Sequence, residues 1–261
     1  MRIFGLALFT LFAFGIASSA WGDSRIVFNH GDRFQYDLHW SLVKVGHAEL
    51  QFRVEPMDKT GRDMIHIIFT ARTSGMADKL FKVRDVIEAW IDPETGRPIL
   101  YLKEQREGKT NRDVRVEFDW ESMTATYSNK GVAKEPVTIT EETMDPLSLI
   151  NALAAKPFEN SELRAHVATD GKKVVQIEAK QIKKERFKVS AGRFKADRIE
   201  VSTKELKGVF EKSPDASIFL WLSQEVPAIP LKMKSKVAVG SFHGQLTGAK
   251  IGDQVIGKLS D

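Results

Sequence analysis

Asp37, His39, His47 and Glu49 fall within one short stretch, Gly31–Val54. Imidazole nitrogens and carboxylate oxygens are the donor set of zinc and similar divalent cations, so convergence of these side chains would make a metal site. The competing account is a solvated polar face, which every half-buried hairpin needs. The other histidines add little. His66 sits in the apolar run Met64–Phe69 and reads as a core or edge histidine with one hydrogen bond. His30, His166 and His243 have no partner at a ligand-like interval, and HExxH is absent. No GxSxG motif marks a serine nucleophile, and the serines before Gly75 and Gly192 read as turn residues. Asp85, Glu88, Asp92 and Glu94 are explained by a strand leading into the turn DPETG. The reading therefore leans away from an enzyme and requires no cofactor.

The polar residues of this stretch alternate with apolar ones. Phe34, Tyr36, Leu38 and Trp40 share one face, as do Ala48, Leu50, Phe52 and Val54. Period two predicts a hairpin with one apolar and one wet face. A turn at Leu42–Lys44 pairs Leu38 with Ala48. It sets Trp40 opposite Gly46, His39 beside His47 and Asp37 beside Glu49. Sliding by two residues keeps the faces and changes the partners, whereas a slip of one would bury the polar set.

Similar alternation continues to the C-terminus, with turn signals at MDKTGRD (57–63), DPETGRP (92–98), EGKTN (107–111) and Asn129–Gly131. Thr73–Leu80 reads as a short helical turn. Asp145–Ala155 is the convincing helix, with Asp145 as N-cap, Pro146 at the first position and Pro157 as the stop. The expected fold is mainly β: a large curled antiparallel sheet, half-barrel or open barrel, with one or two short helices. The helix divides the strands into two groups, which allows two sub-sheets. Gly240, Gly244 and Gly248 fall on one face of a closing strand and predict tight bending or close backbone approach.

A curled sheet poses a question for its apolar face. Tyr36, Leu38, Trp40, Leu50, Phe52, Trp90, Trp120 and Trp221 either fill a core or line a groove for an acyl chain or other amphipathic ligand. Core packing is the default for aromatic residues. On the polar side, Asp170–Lys195 is locally basic. Lys172, Lys173, Lys183, Lys184, Arg186 and Lys188 would suit contact with an anionic surface, or simply discourage edge pairing of an exposed hairpin.

The first twenty residues carry Arg2, the apolar run Ile3–Ile16 and small residues at Ala17–Ala20. This predicts a signal peptide, 1–20, cleaved after about Ala20, and a single β-rich periplasmic domain over 21–261. The chain has no cysteine, which excludes a lipid-bearing cleavage site and disulfides. Beyond the signal no run is long enough for a membrane span. With 39 Lys and Arg against 35 Asp and Glu, the charge gives no case for nucleic acid.

Several stretches together resemble the exported bacterial domain-of-unknown-function family 3108. They are FQYDLHWSLVKVGHAEL (Phe34–Leu50), VRDVIEAWIDPETGRPILYLKEQREG (Val83–Gly108), VEFDW (Val116–Trp120), MDPLSLINAL (Met144–Leu153), KVSAGRFKADRIEV (Lys188–Val201) and IFLWLSQEVPAIPLKMKSKVAVGSFHGQL (Ile218–Leu246). The resemblance implies export and a β-rich fold, and it carries no site residues. The expected function is non-catalytic binding of an amphipathic or lipidic envelope component. The alternatives are an envelope protein-interaction or assembly factor with an unknown protein partner, and a hydrolase acting on an envelope polymer.

Overall fold

In the computed structural model, residues 26–58, 60–202, 218–236 and 241–260 are described; the expected signal segment and Gly240 lie outside them. The alternation at the start does make a hairpin. β1 (Arg33–Trp40) and β2 (Val43–Met57) pair antiparallel around a tip at Ser41 and Leu42. Its register is slid from the Leu38–Ala48 pairing: Leu38 opposes Gly46, Tyr36 opposes Ala48 and Asp37 opposes His47. A bulge follows Leu38, and Ser41 takes a φ of 54° to close the tighter tip. Gly46 answers a different neighbour from the Trp40 indole. A Cβ there would stand 2.0 Å from the Arg72 carbonyl oxygen of the next strand, so only glycine permits that approach.

From β2 the chain meanders. β3 (Arg62–Thr73), the short helix α1 (Gly75–Leu80), β4 (Arg84–Ile91), β5 (Pro98–Glu107), β6 (Thr110–Asp119) and β7 (Thr124–Asn129) follow, each strand antiparallel to the one before. β8 (Val132–Ala133) and β9 (Val137–Thr138) fold back onto β7. β10 (Thr143–Met144) leads into α2 (Pro146–Ala154) and lies parallel to β11 (Leu163–Thr169). A second meander runs through β12 (Val174–Val189), β13 (Gly192–Val201), β14 (Ile218–Ser223), β15 (Pro230–Lys236) and β16 (Ser241–Ile251). β16 then pairs with β1 along its length, so both meanders belong to one sheet, and β17 (Gln254–Gly257) pairs beside the end of β16. Among the described residues no backbone pairing joins the β7–β9 end to the β10–β11 end. The sheet curls and stays open. No described helix is long and apolar enough to cross a membrane.

The concave face is a filled core. Phe34, Phe52, Ile67, Val116, Leu231 and Leu246, from strands all round the curl, are buried in one cluster. Phe28 stands edge-on to Phe34 at 4.9 Å and tilted against Phe52 at 4.8 Å, a spacing that suits aromatic pairs. α2 lies where backbone pairing stops. It contacts β4 on one side and β10 and β11 on the other. Leu147 and Ala154 join the main cluster, while Leu153 packs with Phe158, Ile177 and Ile199 in a second one. The cap is as the sequence predicts: Asp145 accepts from the Leu147 amide at 2.7 Å and the Ser148 amide at 3.2 Å. Asn151 on the same helix accepts from the Val27 amide at 3.1 Å, tying the N-terminal segment to it.

Truncation of Phe52 empties the centre of this core. Phe52→Ala is expected to lower unfolding stability by about 3–5 kcal/mol in urea titrations. Asp145→Ala removes the helix cap and is expected to cost about 1–2 kcal/mol.

Candidate functional site

The four residues proposed for a metal do not converge. Asp37 is held by Lys44 at 2.8 Å and by His47 Nδ1 at 3.3 Å. Glu49 accepts from Gln35 at 2.7 Å and from Gln51. His39 turns the other way and stacks on His243 of β16, its partner in the register, with ring centres 4.8 Å apart. Desolvation, with Lys232, His39 and Lys234 nearby, pushes the His243 imidazole down to about 4. The slid register and the bulge account for this separation. Among the described residues no group of three or more His, Asp or Glu side chains is placed to hold a metal ion.

The set proposed for a groove is likewise divided. Leu38, Leu50 and Phe52 are buried, the last two in the main core. Tyr36 packs beside them, donates to the Pro230 carbonyl at 3.0 Å, and burial pushes its phenol up. Trp221 is buried against Phe187, and its indole N–H donates to Glu185 at 3.0 Å. Trp120 donates to the Pro98 carbonyl at 2.8 Å. Trp90 lies on the convex face with Met57, Met64 and Leu100. Trp40, 55 % exposed, stands at the hairpin tip. These side chains fill a core, cover a convex patch and mark a tip; they do not enclose one groove.

His66 exceeds its sequence reading. It is buried on the convex face, stacked on Trp90 at 3.9 Å, and meets two carboxylates. Nδ1 lies 2.5 Å from Glu55 and Nε2 2.8 Å from Glu88. The His66 bond holds the Glu88 carboxyl below its ordinary value. Cross-strand pairing supplies Trp90 directly opposite and Glu88 one step away. The arrangement pins β2, β3 and β4 together.

The basic segment also separates. Lys172 and Lys173 follow the β11–β12 turn. Lys183 pairs with Glu185 at 2.9 Å. Lys184 opposes Asp197, Arg186 opposes Lys195 and Lys188 opposes Arg193, far along β12. From Lys173 to Arg186 the strand rise gives roughly 40 Å, too far for one compact surface.

Lys172 belongs to another grouping. A cavity of about 560 Å³ opens at the seam between the two sheet ends, lined by Arg112, Tyr127, Asn129, Lys130, Val132, Lys134 and Lys172. Gly171 makes the seam. Its φ of 81° turns β11 into β12, and a Cβ there would come within 2.8 Å of Val116 and 3.1 Å of Tyr127. The glycine turn thus seats directly on β6 and β7. That contact brings Lys172 Nζ to 4.7 Å from the Tyr127 ring centre; Lys134 Nζ reaches the same ring at 5.7 Å. Both are within cation–π range. Asn129 is fixed by accepting from the Asp113 amide at 3.0 Å, and Asp113 itself is engaged by Arg106. Among the described residues no carboxylate lines the cavity; Asp170 stands 3.9 Å from Lys172 Nζ. Such a site attracts an anion, and Val132 at its edge faces solvent beside it, while the Tyr127 ring is itself buried beneath the two ammonium groups. Sequence reading flagged only Lys172, because Lys130 and Lys134 are ordinary connection residues and Arg112 an exposed strand residue until the seam assembles them.

Comparison with known proteins agrees with this architecture. A family model described as a protein of unknown function (DUF3108) matches residues 35–247. A search of curated proteins finds no match. A solved β-barrel-like protein of domain of unknown function DUF1849 from Brucella abortus is similar in fold, with a TM-score of 0.58 and 13% identity over 88% of this chain and 99% of that one.

A buried carboxyl beside a half-buried one gives the described region a pH dependence. Asp85 is 8 % exposed and accepts from the Arg106 amide at 2.8 Å. Burial first, then the hydrogen bond and charge of Glu107, push it up to about 6. A carboxyl raised in the folded state contributes stability below its unfolded value and loses it as pH rises through about 6. Asp85→Asn keeps the acceptor for Arg106 and cannot ionise. Denaturation at several pH values should show the variant gaining on the wild type between pH 4 and pH 7.5; a constant difference would contradict the shift.

Proposed function

Because the chain belongs to a family of proteins of unknown function, DUF3108, its activity has to be argued from its own site, and we propose that it is a non-catalytic binding protein for an anionic, amphipathic molecule of the cell envelope. The observation that carries this reading is the seam cavity, lined by Arg112, Lys130, Lys134 and Lys172 with no carboxylate among the described residues of its walls. Its volume falls within the usual range for small-molecule sites. Guanidinium and ammonium groups hold phosphate or carboxylate oxygens through charge-assisted hydrogen bonds. Val132, 73 % exposed at the rim, suits the apolar portion of the same ligand. Among the described residues the hydrolase alternative has no clustered carboxylates or metal ligands at this cavity in its favour. The signal-like Met1–Ala20 and the lack of cysteine support a periplasmic location, where anionic amphipaths are abundant.

Isothermal titration below micelle formation tests the reading, with lysophosphatidylglycerol compared with zwitterionic lysophosphatidylcholine. Binding to the anionic lipid is expected, with the Lys130→Glu/Lys172→Glu variant weakened by at least about tenfold. Rising salt should weaken binding too. Equal affinity for both lipids, or an unchanged variant, would contradict it.

A further inference from the structure

The β1–β2 tip and the α1 segment present large apolar side chains to solvent. Leu42 is 97 % exposed and Val43 66 %, beside Trp40; Leu80 is 81 % exposed and Met76 69 %, followed by Phe81. The two segments are tied together, since the Ser74 amide before α1 donates to the Val45 carbonyl at 2.9 Å. The next tip joins them. The Gly108 amide donates to the Lys82 carbonyl at 2.9 Å, and Phe81 lies where a Cβ on Gly108 would be. Soluble chains rarely group so many exposed apolar side chains on adjoining tips without use for them.

Their charge setting selects the use. Lys44, Lys79, Lys82 and Arg84 interleave with the apolar residues. The acidic groups of the same segments are already engaged: Asp37 by Lys44 at 2.8 Å, and Asp78 by Arg84 at 2.7 and 3.0 Å. Arg84 and Thr73 hold the Asp78 carboxyl down to about 2. This leaves a positive balance around an apolar tip. Exposed Leu, Met, Phe and Trp ringed by lysines is the pattern of a surface that sinks partway into a bilayer while its cations meet anionic head groups.

We propose that this end of the curled sheet docks onto an anionic lipid bilayer, with the Leu42 tip and the Met76–Phe81 turn entering the head-group region. The surface is separate from the residues lining the seam cavity and does not rest on a ligand being held there. The chain approaches reversibly, since apolar insertion is shallow and a few cations supply only modest attraction.

Vesicle flotation with the mature chain, Trp21–Asp261, tests this. Phosphatidylcholine vesicles containing phosphatidylglycerol should carry the protein upward; pure phosphatidylcholine vesicles should carry far less. Leu42→Glu/Leu80→Glu changes exposed positions only, so the thermal midpoint should hold. Its vesicle affinity should fall by at least about tenfold, while its titration with soluble lysophosphatidylglycerol stays as in the wild type. Lys79→Glu/Lys82→Glu should weaken vesicle binding in the same way. No flotation with anionic vesicles, or undiminished flotation of the Leu42→Glu/Leu80→Glu variant, would overturn the proposal. So would a concentration-dependent dimer in analytical ultracentrifugation that the leucine substitutions abolish, which would assign the surface to a second copy.

Discussion

A sheet that curls without closing leaves two edges whose backbone groups need partners and whose apolar face needs a lid. Here β1 and β16 join the two meanders back to back, so the edges end up at β7–β9 and at β10–β11. α2 packs beside the β10–β11 edge and against β4, capped by Asp145 and buried through Leu147, Leu153 and Ala154. At the rim the Gly171 turn rests on Val116 and Tyr127. Side-chain packing thus does what a ladder of hydrogen bonds does in a closed barrel. One apolar cluster then runs through strands from both meanders.

The chemistry follows from that mode of closure. Packing fills the middle of the curl with Phe28, Phe34 and Phe52 and leaves no comparable filling at the rim, where hairpin turns from distant parts of the chain meet. Turn residues are commonly polar and hydrated, so cations accumulate there at little cost to the fold. Arg112, Lys130, Lys134 and Lys172 repel one another when brought together, and an anion relieves that repulsion. The cavity is a by-product of an open seam that suits a charged ligand.

Much of the fold was legible because period-two patterning is a local signal. Phe34–Trp40 and His47–Val54 announce a hairpin, and Asp145-Pro146 announces a helix start, without any tertiary information. The register was less legible. A bulge after Leu38 and the close approach of Arg72 to Gly46 depend on the third strand, which no two-strand pattern contains. That single shift moved His39 away from His47 and dissolved the apparent metal set. The tryptophans divide for a similar reason: Trp40, Trp90 and Trp221 alternate correctly within their strands, yet one ends at a tip, one on the convex face and one, as the core-packing default expects, in the core. The cavity was least legible. Lys172 stands far in sequence from Arg112 and Lys134, and only the seating of the Gly171 turn makes them neighbours.

The proposed binding of an anionic amphipath at the seam cavity is tested residue by residue by amide chemical-shift mapping in NMR. Titration of the isotopically labelled chain, residues 21–261, with monomeric lysophosphatidylglycerol should shift the amides of Arg112, Tyr127–Lys134 and Asp170–Lys173 together, in one saturable process. Shifts spread evenly over the sheet, or concentrated elsewhere with these amides unmoved, would contradict it.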